Sequence, residues 1–188
     1  MPRVLALSGS LRAGSHSTAL LRAAAARAGD DLDLILYDGL RAIPPFDEDV
    51  EREGPEPAAV AHLRSALADA DGVLIATPEY NGSVPGVLKN ALDWASRPFA
   101  TNPLRGKPVA VISASTGSFG GLWAQNDLRR ILGTLGARVI DESVTVPLVH
   151  TLVDGVGELA HPETSDGLEG LLVALGSELA RVPAEAVA

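Results

Sequence analysis

The chain has 188 residues, 46% of them hydrophobic, with a formal net charge of −9, so it can bury a core, and we expect one domain over residues 1–188. The acidic balance argues against nucleic acid or an anionic membrane as a partner, and the absence of cysteine excludes disulfides and thiol catalysis. No apolar stretch approaches the ~18 residues of a membrane span, and we expect no signal segment, because Met1 is followed almost at once by the first predicted strand. We therefore expect a soluble, cytoplasmic protein.

Strand-like and helix-like stretches alternate along the chain, which is the pattern of a parallel sheet covered by helices on both faces. The predicted strands are residues 3–7, 33–37, 72–77, 109–112 and 138–141, the last with a possible extension to Val146. The predicted helices are residues 17–28, 58–70, 86–96, 122–135 and 166–181. Because proline disfavours helix, the proline-rich segment 38–57 is predicted to be a surface loop, and 147–165 is also loop-like.

The loop between the first strand and the first helix is rich in hydroxyl groups and contains one arginine. Unpaired N–H groups and the positive end of the helix dipole converge there, so the loop is suited to a phosphate group. The candidates are Ser10, Arg12, Ser15, Ser17 and Thr18. The loop lacks both the Walker pattern and the dinucleotide pattern. Alternatively, Ser15 or Ser17 simply caps the helix, and Arg12 is a solvated surface charge.

Two more loops, residues 78–86 and 113–121, follow the third and fourth strands. In a parallel sheet all three loops open on one edge, where ligands of such sheets bind. The loop after the third strand can lay backbone amides and the ring of Tyr80 along a planar ligand, and glycines in the other loop allow close approach. Alternatively, the first is a plain turn with an ordinary Glu79 and a surface Tyr80, and the second is a flexible connection. Together, the three loops favour one cofactor with a phosphate and a flat polar head.

Three stretches, Gly9 to Ser17, Thr77 to Trp94 and Ser113 to Gly121, resemble the NAD(P)H-dependent FMN reductase family. This family comprises quinone, azo-dye and chromate reductases of flavodoxin-like fold, and the resemblance covers roughly residues 3–182. It implies an α/β, doubly wound, five-stranded parallel sheet in the order 2-1-3-4-5 with one non-covalently bound FMN. The family often has Asn where Ser17 stands, and serine can still donate one hydrogen bond there.

The resemblance also implies the cofactor-binding residues. The phosphate side is assigned to Ser10, Arg12, Ser15, His16, Ser17 and Thr18. The isoalloxazine side is assigned to Pro78, Glu79, Tyr80 and Asn81, with Ser115 and Gly117 from the loop after the fourth strand.

The implied reaction passes electrons from NADH or NADPH, through FMN, to a small-molecule acceptor: a quinone, an azo compound, free flavin or a metal oxyanion. Because flavin carries the chemistry, we assign no catalytic acid, base or metal. Two alternatives stay open: a flavodoxin-type electron carrier, and a binding module that has lost its flavin. The family's usual assembly implies a homodimer or homotetramer, in which Leu88 and Trp94 lie either at the dimer contact or in the internal core.

Overall fold

A five-stranded parallel sheet forms the centre of the computed structural model, which describes residues 1–151 and 161–181. The strands are β1 Arg3–Ser8, β2 Asp33–Tyr37, β3 Gly72–Pro78, β4 Pro108–Ala114 and β5 Arg138–Val146. They lie in the order β2-β1-β3-β4-β5, and every neighbouring pair is parallel. The predicted fold class and strand order are confirmed, and β5 takes the longer of its two predicted extents.

Helices cover both faces of this sheet. They are α1 His16–Ala28, α2 Glu48–Glu53, α3 Ala58–Ala68, α4 Gly86–Ala95, α5 Leu122–Thr134 and α6 Pro162–Arg181. Short 3-10 helices span Gly39–Ala42, Phe99–Thr101 and Val149–Thr151. Helix α6 begins before the predicted Asp166, because a proline is tolerated in the first turn. Within 1–151 and 161–181, no helix combines the length and apolarity needed to cross a bilayer.

Successive side chains along the strands point to opposite faces of the sheet, where they pack into two separate apolar layers. Leu5 and Leu7 of β1 pack in one cluster with α3, α4 and α5, whereas Val4 and Ala6 pack in the other with α1 and α6. Strand β3 is buried on both faces, as its uninterrupted apolar sequence predicts. The two layers bury both faces of the sheet and leave its carboxyl edge to the loops.

Strand β5 lies at one edge of the sheet and is irregular. Its pairs Val109↔Val139 and Val111↔Ser143 flank a bulge that contains Asp141 and Glu142, both of them exposed. A bulge bends an edge strand and interrupts its ladder of hydrogen bonds.

The prediction that residues 38–57 form a loop throughout is wrong. The segment contains the 3-10 helix Gly39–Ala42 and helix α2, and Leu40 is buried. Asp47 caps α2, its carboxylate accepting the N–H of Asp49 at 2.9 Å. The prolines lie between and after these helices. They therefore mark the ends of the helices and do not interrupt either one.

This segment is fastened to α4 by three side-chain hydrogen bonds. The Asn90 amide accepts the N–H of Phe46 at 2.7 Å and donates to the carbonyl of Pro44 at 2.8 Å. The same carbonyl accepts the indole N–H of Trp94 at 2.9 Å. Trp94 is 1% exposed and Leu88 is fully buried, so both residues belong to the internal core and not to a subunit contact.

We predict that Asn90→Ala lowers the free energy of unfolding by about 2 kcal/mol, because it removes two hydrogen bonds and leaves a backbone N–H unpaired. Urea titration of the apoprotein measures this. The neighbouring Lys89→Ala is the control, since Lys89 makes only a half-exposed ion pair with Asp93 and its loss costs less than about 1 kcal/mol. Equal effects of the two substitutions would contradict the prediction.

Candidate functional site

The loops after β1, β3 and β4 enclose a cavity of about 200 Å³ at the carboxyl edge of the sheet. It is lined by Ser10, Arg12, Ser15, His16, Ser17, Pro78, Glu79, Tyr80, Ala114, Ser115, Thr116 and Val149. Most of the predicted site residues therefore meet at one place, although the sequence separates them by up to about a hundred positions. The strand order reverses between β1 and β3, which is the usual position of a ligand in such a sheet.

Two larger cavities lie elsewhere. One, of about 370 Å³, lies between α3 and strands β1 and β2, and the other, of about 590 Å³, lies between β5 and α6. Neither is lined by the predicted site residues. The smaller cavity at the carboxyl edge is therefore the candidate site, because loops from three strands converge on it.

The N-terminus of α1 points backbone donors at this cavity. Ser15 is the N-cap, and its hydroxyl accepts the N–H of Thr18 at 3.2 Å. The alternative that one serine caps the helix is thus correct for Ser15. The N–H groups of His16 and Ser17, in the first turn, have no partner within the helix. An anion placed in the cavity would meet these N–H groups at the positive end of the helix dipole.

Ser17 carries an unusual buried hydroxyl. Ser17 is 2% exposed, and its Oγ has no hydrogen-bond partner within the described structure. A buried hydroxyl without a partner costs free energy, so native proteins rarely keep one without a reason. Because Ser17 lines the cavity, a phosphate oxygen placed there would satisfy both this hydroxyl and the neighbouring N–H groups.

Arginine side chains brace the loop that precedes α1. The Arg12 guanidinium donates to the carbonyl of Gly14 through Nε at 3.1 Å and Nη2 at 2.7 Å. Arg41 reaches across from the 3-10 helix Gly39–Ala42 and donates to the carbonyl of Leu11 at 2.6 Å. Arg12 is therefore held in the loop, with its other N–H groups available to an anion in the cavity.

The surroundings of His16 disfavour its charged form. Burial lowers its pKa below the ordinary 6.5, and the positive charges of Arg12 and His150 lower the pKa further. Protonation is then easier in the unfolded chain, so His16 makes the apoprotein less stable as the pH falls below 6.5. His150, which shows no functional pattern in the sequence, is thus part of the electrostatic surroundings of this site.

The turn after β3 has a defined conformation. Tyr80 and Ser83 exchange two backbone hydrogen bonds, of 3.0 and 3.2 Å, around Asn81 and Gly82 at φ 54° and 75°. An Asn-Gly pair is favoured in such a turn, because both central residues adopt positive φ. Glu79 makes a long-range contact: its Oε2 accepts the N–H groups of Trp123 and Ala124 at 3.1 and 3.2 Å.

The loop after β4 is packed, so the alternative that it is a flexible connection does not hold. The carbonyls of Ser115 and Gly117 accept the N–H groups of Val149 and Leu148, each at 3.1 Å. Gly120 has φ 61°, and a Cβ there would lie 2.9 Å from the backbone nitrogen of Val146. This packing brings Val149 to the cavity, a lining residue that sequence reasoning missed because it follows an irregular stretch.

Three predicted residues do not line the cavity. Thr18 donates its hydroxyl to Ser8 Oγ at 2.8 Å, and the N–H of Gly117 is bonded to Ser115 Oγ at 3.0 Å. Asn81 is an exposed residue of the turn. Their roles as cofactor contacts stay predictions. Ser8, at the end of β1, is the partner that accepts the Thr18 hydroxyl, and it does not line the cavity.

Known proteins are similar to this chain over most of its length. Residues 2–151 match the family model described as NADPH-dependent FMN reductase. The chain is 40% identical over 182 residues to a quinone reductase of Escherichia coli, with 96% of each chain covered. It is 40% identical over 174 residues to an NAD(P)H-dependent FMN reductase of Pseudomonas aeruginosa, with 92% of each covered.

A solved structure gives the same result. The flavoenzyme NAD(P)H:(acceptor) oxidoreductase FerB from Paracoccus denitrificans superimposes with a TM-score of 0.84 at 30% identity, covering 96% of this chain and 98% of FerB. The resemblance seen in the motifs, the enzyme type and the assignment of FMN with NAD(P)H are therefore confirmed. This chain belongs to the NADPH-dependent FMN reductase family and is an NAD(P)H-dependent flavin oxidoreductase of flavodoxin-like fold.

Proposed function

We propose that this enzyme reduces quinones, with azo compounds, free flavin and metal oxyanions as further acceptors. The chain is 40% identical to a quinone reductase, and the match covers 96% of both chains. This similarity supports quinones as the first acceptor. Its assembly as a homodimer or homotetramer is also a proposal, and any contact must use a surface other than the buried Leu88 and Trp94.

The donor chemistry of the cavity fits FMN. We propose that its phosphate is held by Ser10, Arg12, His16, Ser17 and the first-turn N–H groups of α1. The observation that carries this proposal is the buried hydroxyl of Ser17, which has no hydrogen-bond partner within the described structure and belongs to a residue that lines the cavity. On the ring side we propose Pro78, Glu79, Tyr80, Asn81, Ser115 and Gly117. Ser15 and Thr18, whose hydrogen bonds hold the start of α1, act mainly by keeping the helix end in place.

When bound, FMN supplies hydride acceptance and donation, so the protein needs no nucleophile of its own. The chain's residues contribute binding and orientation. The helix end and Arg12 fix one end of the ligand, while the defined Tyr80–Ser83 turn and the packed loop after β4 offer backbone groups to its other end. Hydrogen bonds from such rigid loops are aligned in advance, which lowers the ordering cost of binding.

We predict that the purified flavoprotein oxidises NADPH or NADH in the steady state when a benzoquinone is supplied. Absorbance at the nicotinamide band measures the rate, and each nicotinamide is tested separately. An electron carrier of the flavodoxin type would give almost no turnover under the same conditions. A yellow protein with negligible oxidation of both nicotinamides across quinone, azo, flavin and oxyanion acceptors would contradict the proposal.

We predict that Ser17→Ala weakens FMN binding by about tenfold, because it removes one hydrogen bond to a charged group. The double substitution Ser10→Ala with Arg12→Ala should weaken binding by at least about a hundredfold. Titration of the apoprotein, followed by quenching of FMN fluorescence, measures both constants. Ser177→Ala is the control, since the Ser177 hydroxyl donates to a carbonyl within α6, away from the cavity. Undiminished affinity in the double variant would refute the phosphate assignment.

A further prediction follows from the lowered pKa of His16. A bound phosphate raises that pKa, because a nearby negative charge favours the imidazolium. At about pH 6 the wild type should therefore take up more protons on binding FMN than His16→Gln does. Calorimetry in two buffers of different protonation enthalpy measures the number of protons taken up by each protein. Subtracting the value for His16→Gln from that for the wild type cancels any proton released by the phosphate itself. Equal uptake in both proteins would place His16 away from the phosphate.

A further inference from the structure

Helix α5 begins without a capping side chain of its own. Its N-cap is Gly121, at φ 81° and ψ 27°, preceded by Gly120, which also has positive φ. A Cβ at Gly121 would lie 3.2 Å from the Cβ of Ser113, so the close approach to β4 favours glycine here. The usual capping residues are thereby disfavoured, and the first-turn N–H groups need an acceptor from another part of the chain.

Glu79 provides that acceptor from the end of β3. Its Oε2 lies 3.1 Å from the N–H nitrogen of Trp123 and 3.2 Å from that of Ala124, both in the first turn of α5. A carboxylate at a helix N-terminus gains from charge-assisted hydrogen bonds and from the helix dipole. The carboxylate is therefore engaged by α5, although Glu79 is also a lining residue of the cavity.

A second contact fastens the other end of the same turn. The Ser83 hydroxyl donates to Asp127 Oδ2 at 2.7 Å, and Asp127 lies one helical turn beyond Trp123 on α5. Between these two attachments, Tyr80 and Ser83 are joined by their own pair of backbone hydrogen bonds. The turn after β3 is thus held to α5 at Glu79 and at Ser83.

We propose that Glu79 is a positioning residue for the ring-side part of the FMN site, acting through α5 and not as a direct side-chain ligand. This inference rests on the proposed function, since it requires FMN in the cavity. The tie between Glu79 and α5 fixes the backbone of residues 79–82 relative to the loop after β4. It also fixes the start of α5, where the half-exposed Trp123 packs edge-to-face on Phe119 with ring centroids 4.9 Å apart.

The test compares Glu79→Ala, Glu79→Gln and Ser83→Ala with wild type, at a temperature where each apoprotein is folded. The readouts are the dissociation constant of FMN and the visible spectrum of bound FMN, which reports the surroundings of the ring. We expect Glu79→Ala to weaken binding by about tenfold and to change the spectrum, because misplaced site backbone loses binding energy. Glu79→Gln keeps an oxygen that accepts both N–H groups, so it should restore the wild-type spectrum and affinity to within about threefold.

Ser83→Ala keeps the cap and releases only the far end of the turn, so it should change the spectrum in the same direction by a smaller amount. It remains informative if Glu79→Ala fails to fold. Two controls accompany these variants. Glu142→Ala removes an exposed carboxylate on β5 and should change neither readout. Ser17→Ala should weaken FMN binding without altering the ring spectrum.

Three results would overturn the inference. Glu79→Ala with a lowered melting temperature but wild-type affinity and spectrum would make Glu79 a helix cap only. Glu79→Gln as impaired as Glu79→Ala would mean that the negative charge itself acts on the ring. A wild-type protein that binds no FMN would overturn the proposed function first, so the two failures are distinguishable.

Discussion

The parallel pairing of β1 with β3, in register from Val4↔Gly72 to Ser8↔Ala76, places two loops side by side at one edge of the sheet. Gly9 continues the pairing, its N–H bonded to the carbonyl of Ala76 at 2.8 Å. A Cβ at Gly9 would lie 3.1 Å from Leu88 Cδ2, so the chain turns there in a space that suits glycine. From this point the loop before α1 runs one way and the turn after β3 the other, and the cavity lies between them.

Charge is distributed unevenly around that cavity. The chain as a whole is strongly acidic, yet the guanidinium groups of Arg12 and Arg41 both lie at the loop before α1. Together with the end of the helix dipole, they create a local positive potential in a protein whose overall charge repels anions. This arrangement favours one small anionic group at one place, and it gives no extended basic surface for a polyanion.

Local patterns were enough to predict the strands and most of the helices, because their apolar residues recur at the expected periods. They also predicted the edge at which the site forms, since parallel topology leaves little choice. They could not say which serine caps α1 and which keeps a buried hydroxyl without a partner, because Ser15 and Ser17 are equivalent by residue type. Only the structure shows that Ser15 is bonded to Thr18 whereas Ser17 is left without a partner. Contacts between distant residues, such as Asn90 with Phe46 and Glu79 with α5, have no local signature.

The bulged edge strand β5 has a consequence for how copies of the protein meet at high concentration. An open sheet invites an incoming strand to extend it, and flat hydrophobic edges are where aggregation starts. Here the ladder is interrupted at Asp141 and Glu142, whose carboxylates face solvent. A strand from another molecule would have to match an irregular register and bury two negative charges, so β5 discourages the growth of the sheet from one copy into the next.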